Sequence, residues 1–229
     1  NSGWYQTSFF FATGCKLEYT TDESGAFVGS DVTYASKEGV AAFKAMISLA
    51  KSPSFQNGSS VDKATNLAAI VDGAWDADAA KAVFGDNYAC AKLPSFTVDG
   101  QSYQMSGFGG FKLLGVKPQT EQGKQLVCLA LAEYLSNEET QLARFNEVAW
   151  GPSNLVAQQS DAVKSDAALS ALAEQLAYTI PQGQYPGDYW TDATSLGDDV
   201  IADKYDNMSD DELMKVLEPF QARQQSYAQ

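Results

Sequence analysis

Apolar positions at Val40, Phe43, Met46, Ile47 and Ala50 share the spacing of one helical face, with Ser36 placed to cap the helix and Lys51 to Pro53 to end it. The strongest helical pattern starts after Pro118 and Thr120 and runs through Leu126, Val127, Leu131, Tyr134 and Leu135. Ser136 to Glu139 has the form of a capping box opening the next helix, which carries Leu142 and Phe145 and stops at Gly151-Pro152. Asp166 caps a further helix through Leu169, Leu172 and Leu176, and another follows Trp190. Ser209 to Glu212 caps the last, with Leu213, Val216, Leu217 and Phe220 apolar. Near the start, Phe9-Phe10-Phe11 reads as the first turns of a buried helix after a glycine turn.

Strand patterns are shorter. Lys16 to Tyr19 alternates, Asp22 to Gly25 is a turn, and Val32 to Tyr34 reads as extended. After a polar loop at 54–60, a helix near 61–67 leads into Ala68 to Val71, a run that fits a buried strand ending at Asp72-Gly73. A helix starts close to Trp75. Tyr88 to Leu93, closed by Pro94, and Phe111 to Val116 are the next expected strands. The Gly-rich, apolar stretch 105–117 breaks the texture of the chain, and its glycines permit a bend or a close backbone approach. Helices alternate with short strands early and dominate later, which is an α/β arrangement with a helical C-terminal region.

The 229 residues are 45% hydrophobic, enough to bury a core in one large domain or two lobes. A net charge of −14, with 15 scattered basic residues, excludes a nucleic-acid partner, because phosphate binding needs clustered Lys and Arg. The same charge disfavours an anionic membrane surface, and no apolar run reaches spanning length. Histidine is absent, which removes His-based triads and most zinc and haem sites within the chain. Cys128 lies in an apolar run and reads as a buried thiol; a Cys15–Cys90 bridge is open but spacing does not decide it. Without a starting Met or a signal peptide, the chain reads as a mature product or a fragment.

Three segments concentrate aromatic rings among turn residues: Asn1 to Tyr5, Val71 to Trp75 and Ile180 to Trp190. Rings on loops beside short polar side chains suit sugars, since a ring stacks on the C–H face while its neighbours hold hydroxyls. The same rings could instead staple loops to a core. Met105 to Gly110 resembles a phosphate loop only loosely, for it lacks Gly-Lys-Ser/Thr and precedes a strand. Asp72, Asp76 and Asp78 lack calcium-loop spacing and read as a solvated helix start, so no metal or other cofactor is expected. Two carboxylates a few ångströms apart would be enough for a glycosidase, and 29 acids leave that alternative open without singling out a pair.

The order of these features resembles the C-terminal part of the extracellular solute-binding proteins that feed sugar ABC importers, in the maltose/maltodextrin-binding branch. The resemblance rests on the opening Asn-x-x-x-Tyr, Ala68 to Trp75, Lys92 to Phe96 and Gly107 to Phe111. It continues through Lys124 to Leu135 with Ser136 to Glu139, then Gly151-Pro152 and Tyr178 to Gln182 running on to Tyr189-Trp190. It implies a type II periplasmic-binding-protein-like α/β fold, in which two lobes close on a sugar like a hinged clamp. Residues 1–104 and 158–229 would belong to the C-terminal lobe, helix-rich at its end, and 105–157 would cross into the N-terminal lobe, most of which would precede Asn1. It implies a non-catalytic, oligosaccharide-binding protein that hands sugar to ABC transporter membrane subunits, works outside the cytoplasmic membrane and is tethered there. An incomplete clamp would have edges prone to self-association. Carried over residue by residue, the stacking platforms fall on Trp75 and Trp190 and the opening ligand contacts on Trp4 and Tyr5. Tyr189 and Asp188 stand beside the second platform. The chain departs from the pattern at Gly183 to Gly187, which is longer, at Thr194, where a basic residue is expected, and around Trp4, where a glutamate is expected.

Overall fold

The computed structural model describes residues 2–58, 60–63 and 66–228. Asn1 and residues 64 and 65 of the expected 61–67 helix lie outside the described residues. In chain order the regular elements are α1 (Gly3–Ala12), β1 (Leu17–Thr21), β2 (Phe27–Val32), α2 (Lys37–Ala50), α3 (Ala77–Phe84), β3 (Ser95–Val98), β4 (Gln101–Gln104) and β5 (Gly107–Gly109). They continue with α4 (Gln122–Ser136), α5 (Glu138–Val148), α6 (Asp161–Lys164), α7 (Ala167–Gln175), β6 (Thr179–Pro181), α8 (Gly187–Ile201) and α9 (Asp210–Ser226). The chain divides into two compact units, one of Asn1–Asn57, Leu93–Gly110 and Gln175–Gln229, the other of Gly58–Lys92 and Phe111–Glu174.

In the first unit α1 is buried almost throughout, including Phe9, Phe10 and Phe11, and packs on α2 and α8. Ser2 caps it through a hydrogen bond from the Trp4 N–H, so Trp4 and Tyr5 stand in its first turn and not in a loop. Phe10 stacks on Tyr34 with centroids 3.9 Å apart, and Phe43, Leu213 and Leu217 complete the centre of the core. Ser36 accepts from the Gly39 N–H at the start of α2, as its position in the sequence predicts. Ser209 and Glu212 form a reciprocal capping box at the start of α9.

Among the described residues the unit's strands form three two-stranded ribbons. β1 and β2 pair antiparallel around a turn in which Asp22 Oδ1 accepts from the Ser24 N–H and hydroxyl and the Ala26 N–H. β3 and β4 form a hairpin whose two connecting residues, Asp99 and Gly100, both have positive φ (52° and 78°), the backbone that an Asp-Gly pair adopts most readily. β5 pairs parallel with β6, Phe108 opposite Ile180. The buried Gln175 side chain accepts from the Leu93 N–H and donates to the Met105 carbonyl, tying the approach to β3 to the approach to β5.

The second unit holds α3 to α6 and most of α7. Asn137, not Ser136, caps α5, accepting from the Thr140 N–H, while the Ser136 hydroxyl donates back to the Ala132 carbonyl. Gln141, buried in α5, accepts from the Ser153 and Asn154 N–H groups and donates to the Ser136 carbonyl, so one side chain ties the end of α4 to the loop that follows α5. Asp166 accepts from the Leu169 N–H at the start of α7, as predicted.

Several expected strands are absent. Ala68 to Val71, Tyr88 to Leu93 and Phe111 to Val116 take no regular structure, and Val71, Phe111 and Leu113 are exposed. A four- to six-residue apolar run becomes a strand only where a neighbour completes its ladder, and among the described residues the second unit contains no strand. The pairing falls instead on Ser95–Val98, just after one expected segment, and on Gly107–Gly109, just before another. Cys128 is half-buried, not buried, and Cys15 and Cys90 are both free thiols, so no bridge joins them.

Candidate functional site

In the first unit the aromatic residues of three distant segments converge. Pairing of β5 with β6 sets Phe108 beside the segment that leads to Tyr185 and α8. Trp190, in the first turns of α8, has Tyr189 edge-on at 4.8 Å, Tyr185 at 5.9 Å and Phe108 at 6.3 Å. Trp4 lies nearly parallel to it, 6.4 Å away and inclined by 26°, and also meets Phe108 at 5.1 Å. α8 starts at Gly187 and so takes in Trp190, which the sequence places ahead of the helix, because Pro186 sets the extended backbone that precedes a first turn.

Gly3 makes this convergence possible. A Cβ there would come within 2.7 Å of the Ala193 Cβ and 3.5 Å of the Trp190 ring, so only glycine lets the first turn of α1 close on α8. Two hydrogen bonds fix the contact. The Tyr189 hydroxyl donates to the Gly3 carbonyl at 3.2 Å, and Gln6 Nε2 donates to the Ala193 carbonyl at 2.8 Å.

The six expected site residues are therefore differently placed. Trp190 and Trp4 are half-buried and braced by other rings. Tyr5 is half-buried in α1 and Asp188 is exposed in the first turn of α8, where its charge suits the helix dipole. Tyr189 is only 1% exposed, and burial pushes its hydroxyl well above the ordinary tyrosine range. It lies in the core and supports Trp190 edge-on, its place one residue before the platform turning it about 100° around the helix. Tyr185 was not singled out by the sequence. Its half-buried ring underpins Trp190, and its hydroxyl, pushed up to about 12 by burial and then by the Glu18 charge, stays protonated and donates to the Leu17 carbonyl at 2.7 Å.

Outward from this cluster, Trp190, Thr191, Thr194, Ser195 and Asp198 line a shallow, open concavity along α8. The spacing i, i+1, i+4, i+5, i+8 puts them on one helical face. The Thr194 hydroxyl donates to the Trp190 carbonyl at 2.8 Å, which leaves its oxygen as an acceptor. The face thus offers an aromatic plane followed by hydroxyls and a carboxylate.

Trp75 belongs to the second unit, in a short 3-10 turn (Ala74–Asp76) before α3, and is 65% exposed. Its ring lies flat over Gly73, where a Cβ would come within 2.3 Å of ring carbons. Asp76 beside it is held above the ordinary carboxylate range by desolvation and by the charge of Asp72. Among the described residues no group of His, Cys, Asp or Glu side chains is arranged to hold a metal ion, and no helix is long and apolar enough to cross a membrane.

Solved structures share this fold. The maltodextrin binding protein from L. casei, solved without ligand, is 23% identical, with a TM-score of 0.73 over 96% of this chain and 58% of its own. A structure solved with acarbose is 25% identical, with a TM-score of 0.79 over 100% of this chain and 61% of its own. The maltose-binding periplasmic protein from Listeria monocytogenes, in complex with maltose, is 20% identical, with a TM-score of 0.66 over 96% of this chain and 58% of its own. The chain thus spans about three fifths of the length of these structures, and its α/β architecture is that of the type II periplasmic-binding-protein fold with a helix-rich C-terminal part. Among curated protein sequences none matches it. The sequence profile of the bacterial extracellular solute-binding proteins matches residues 1–171, three quarters of the chain, and the chain belongs to that family.

Proposed function

We propose that this protein is a non-catalytic carbohydrate-binding protein, taking a maltose- or maltodextrin-like oligosaccharide and delivering it to the membrane subunits of an ABC transporter. The observation that carries the reading is Trp190, a ring braced by Trp4, Phe108, Tyr185 and Tyr189 and opening onto a hydroxyl-lined face. A braced indole loses little freedom when a sugar stacks on it, and hydroxyl and carboxylate groups beside it suit sugar hydroxyls. The solved relatives that carry maltose or acarbose support the same ligand class. Trp75 is proposed as a further stacking ring, supported by its exposure and its flat seat on Gly73. Trp4, Tyr5 and Asp188 complete the proposed ligand contacts, Trp4 acting chiefly as the backing of Trp190.

The lobe division is part of the proposal: residues 1–104 and 158–229 to the C-terminal lobe, 105–157 to a segment of the N-terminal lobe. So is tethering of the whole protein to the outside of the cytoplasmic membrane. The glycoside hydrolase alternative gains no support from a family defined by solute binding.

Calorimetric titration with maltose, maltotriose and a non-glucose sugar tests the reading, using this chain and a version extended to the length of its relatives. The extended form binds a glucan, and Trp190→Ala and Trp75→Ala each weaken binding by about fivefold or more, the value of one lost aromatic contact of about 1 kcal/mol. Silence of the extended form towards every glucan removes the proposed ligand class.

A further inference from the structure

Behind Trp190, on the far side of α8, one carboxylate collects three donors from the end of α9. Asp192 follows Trp190 by two residues, about 200° around an α-helix, so the indole opens onto the concavity while Asp192 meets α9. Its Oδ1 lies 3.0 Å from Arg223 Nη1, and its Oδ2 accepts from Gln224 Nε2 and from the Tyr227 hydroxyl, both at 2.8 Å. Gln224 is fully buried and uses both ends of its amide, for Oε1 accepts from the Tyr19 hydroxyl at 3.1 Å. Tyr19 in turn meets Tyr185 edge-on at 5.5 Å, and Tyr185 underpins Trp190. The path from Asp192 through Gln224, Tyr19 and Tyr185 to Trp190 therefore closes on itself along α8. The Tyr227 hydroxyl is pushed up to about 12 by desolvation and then by its bond to Asp192, and burial pushes Tyr19 well above the ordinary range, so both remain donors at neutral pH. Hydrogen bonds to a carboxylate are among the stronger ones in proteins, and rotation of α8 about its axis, the motion that would swing the indole away, breaks all three.

We propose that Asp192 and Gln224 are positioning residues for the sugar platform, resting on the saccharide reading above: without touching the ligand, the end of α9 fixes the rotation of α8 and thereby the plane that Trp190 offers. Sugar affinity is then set in part by a helix end outside the concavity.

The test is Gln224→Glu in the version extended to the length of the relatives, measured well below its thermal midpoint. Glutamate keeps the shape of glutamine and still accepts from Tyr19, but at neutral pH it sets an anion against Asp192. On acidification the two carboxylates take up a shared proton and the missing donor returns. The other charges facing this network are Arg223, Asp188 towards Tyr227 and Glu18 towards Tyr185. Maltose affinity at neutral pH falls about fivefold, the scale of one lost aromatic contact, and recovers towards wild type as the pH drops to about 5, where a carboxylate pair first gains its proton. Tryptophan emission follows the same pH course, and the difference from wild type vanishes when Trp190→Phe is added. Gln221→Met is the control for a merely structural role, since Gln221 accepts from the Ala35 N–H at 2.8 Å and fastens α9 elsewhere. It lowers the midpoint and leaves maltose affinity and emission in place. Where Gln224→Glu does not fold, Tyr227→Phe carries the test by deleting one donor at the half-buried edge of the network, with about a twofold loss of affinity expected, less than the loss of a full contact. Wild-type affinity and emission in the folded variant, a loss that pH does not reverse in Gln224→Glu, or an equal loss in Gln221→Met overturns the positioning role alone. Failure of the wild type to bind maltose or maltotriose overturns the saccharide reading, and emission then decides whether the end of α9 holds Trp190.

Discussion

Trp190 works as a platform only because smaller residues let it be braced, and Gly3 is the clearest case. Alanine there gains some helix propensity, up to about 1 kcal/mol in a helix interior and less at a first position. Against this stands a Cβ 2.7 Å from the Ala193 Cβ, a collision between two short, rigid groups that only backbone movement relieves. Overpacking of that kind costs about 1–3 kcal/mol, so the clash wins. Gly3→Ala is expected to lower the thermal midpoint and to shift tryptophan emission as Trp4 and Trp190 lose their contact; a variant as stable as wild type, with unchanged emission, contradicts the packing argument. Gly73 presents the opposite balance. The Trp75 ring is 65% exposed and can swing away, so Gly73→Ala leaves stability nearly unchanged, but the ring has to leave its seat. Red-shifted emission without a change in midpoint is the expected signature. At this scale the sequence showed Trp190 and Trp75 plainly, as rings among Gly, Pro and Asp. It hid Tyr185 and Phe108, whose roles come from β5 pairing with β6 across about seventy residues of chain, a relation that no local pattern records. Asp198 was hidden differently: its spacing from Trp190 was visible, but it reads as one more solvated acid until the helix face is known to line a concavity.

Elements that carry their own instructions were legible. α2 and α9 pair a side-chain cap with an apolar stripe, and both form where those signals stand. The α9 cap also has a pH signature. Hydrogen bonds from the Ser209 backbone N–H and hydroxyl hold the Glu212 carboxyl below the ordinary glutamate range. A carboxylate depressed in the folded state stabilises above its unfolded pKa, and that contribution disappears as pH falls through the folded value. Glu212→Gln is therefore expected to melt below wild type at neutral pH, with the gap closing on acidification through and below the normal glutamate range. A gap constant with pH assigns the cap's effect to packing and not to charge. Ser209→Ala, which removes the other half of the box, is expected to cost about 1 kcal/mol by denaturant titration. The strands were less legible because a strand is a relation between two segments. Ala68 to Val71 and Phe111 to Val116 have the right composition and no ladder. The β3–β4 hairpin declares itself in Asp99-Gly100, a two-residue turn signal between longer apolar runs that pair with nothing.

For the molecule as a whole, the informative conflict is between its charge and the surface of α4. That helix has no buried residue, yet Leu126, Val127, Leu129, Leu131 and Tyr134 are all large, apolar and about half exposed or more. A helix apolar around its circumference normally lies inside a protein, and scattered single exposures do not account for five on one helix. Burial of such a face contributes about 25 cal/mol for each Å² removed from water, so two copies of this chain gain by covering it in one another. The charge of −14 per chain acts the other way, through a repulsion that salt screens over a Debye length of about 10 Å at 0.1 M. The balance sets a direction: this chain in isolation is expected to self-associate in sedimentation velocity as its concentration rises, more at high salt than at low. Val127→Gln with Leu131→Gln should keep it monomeric without altering the first unit's melting. Association that weakens with salt would point to charged groups instead, and a monomer at every concentration and ionic strength would mean that α4 tolerates its own exposure. The version extended to the relatives' length separates the two origins of the effect. If added chain covers α4, association disappears while glucan binding appears; if it persists, the face belongs to an assembly of the whole protein.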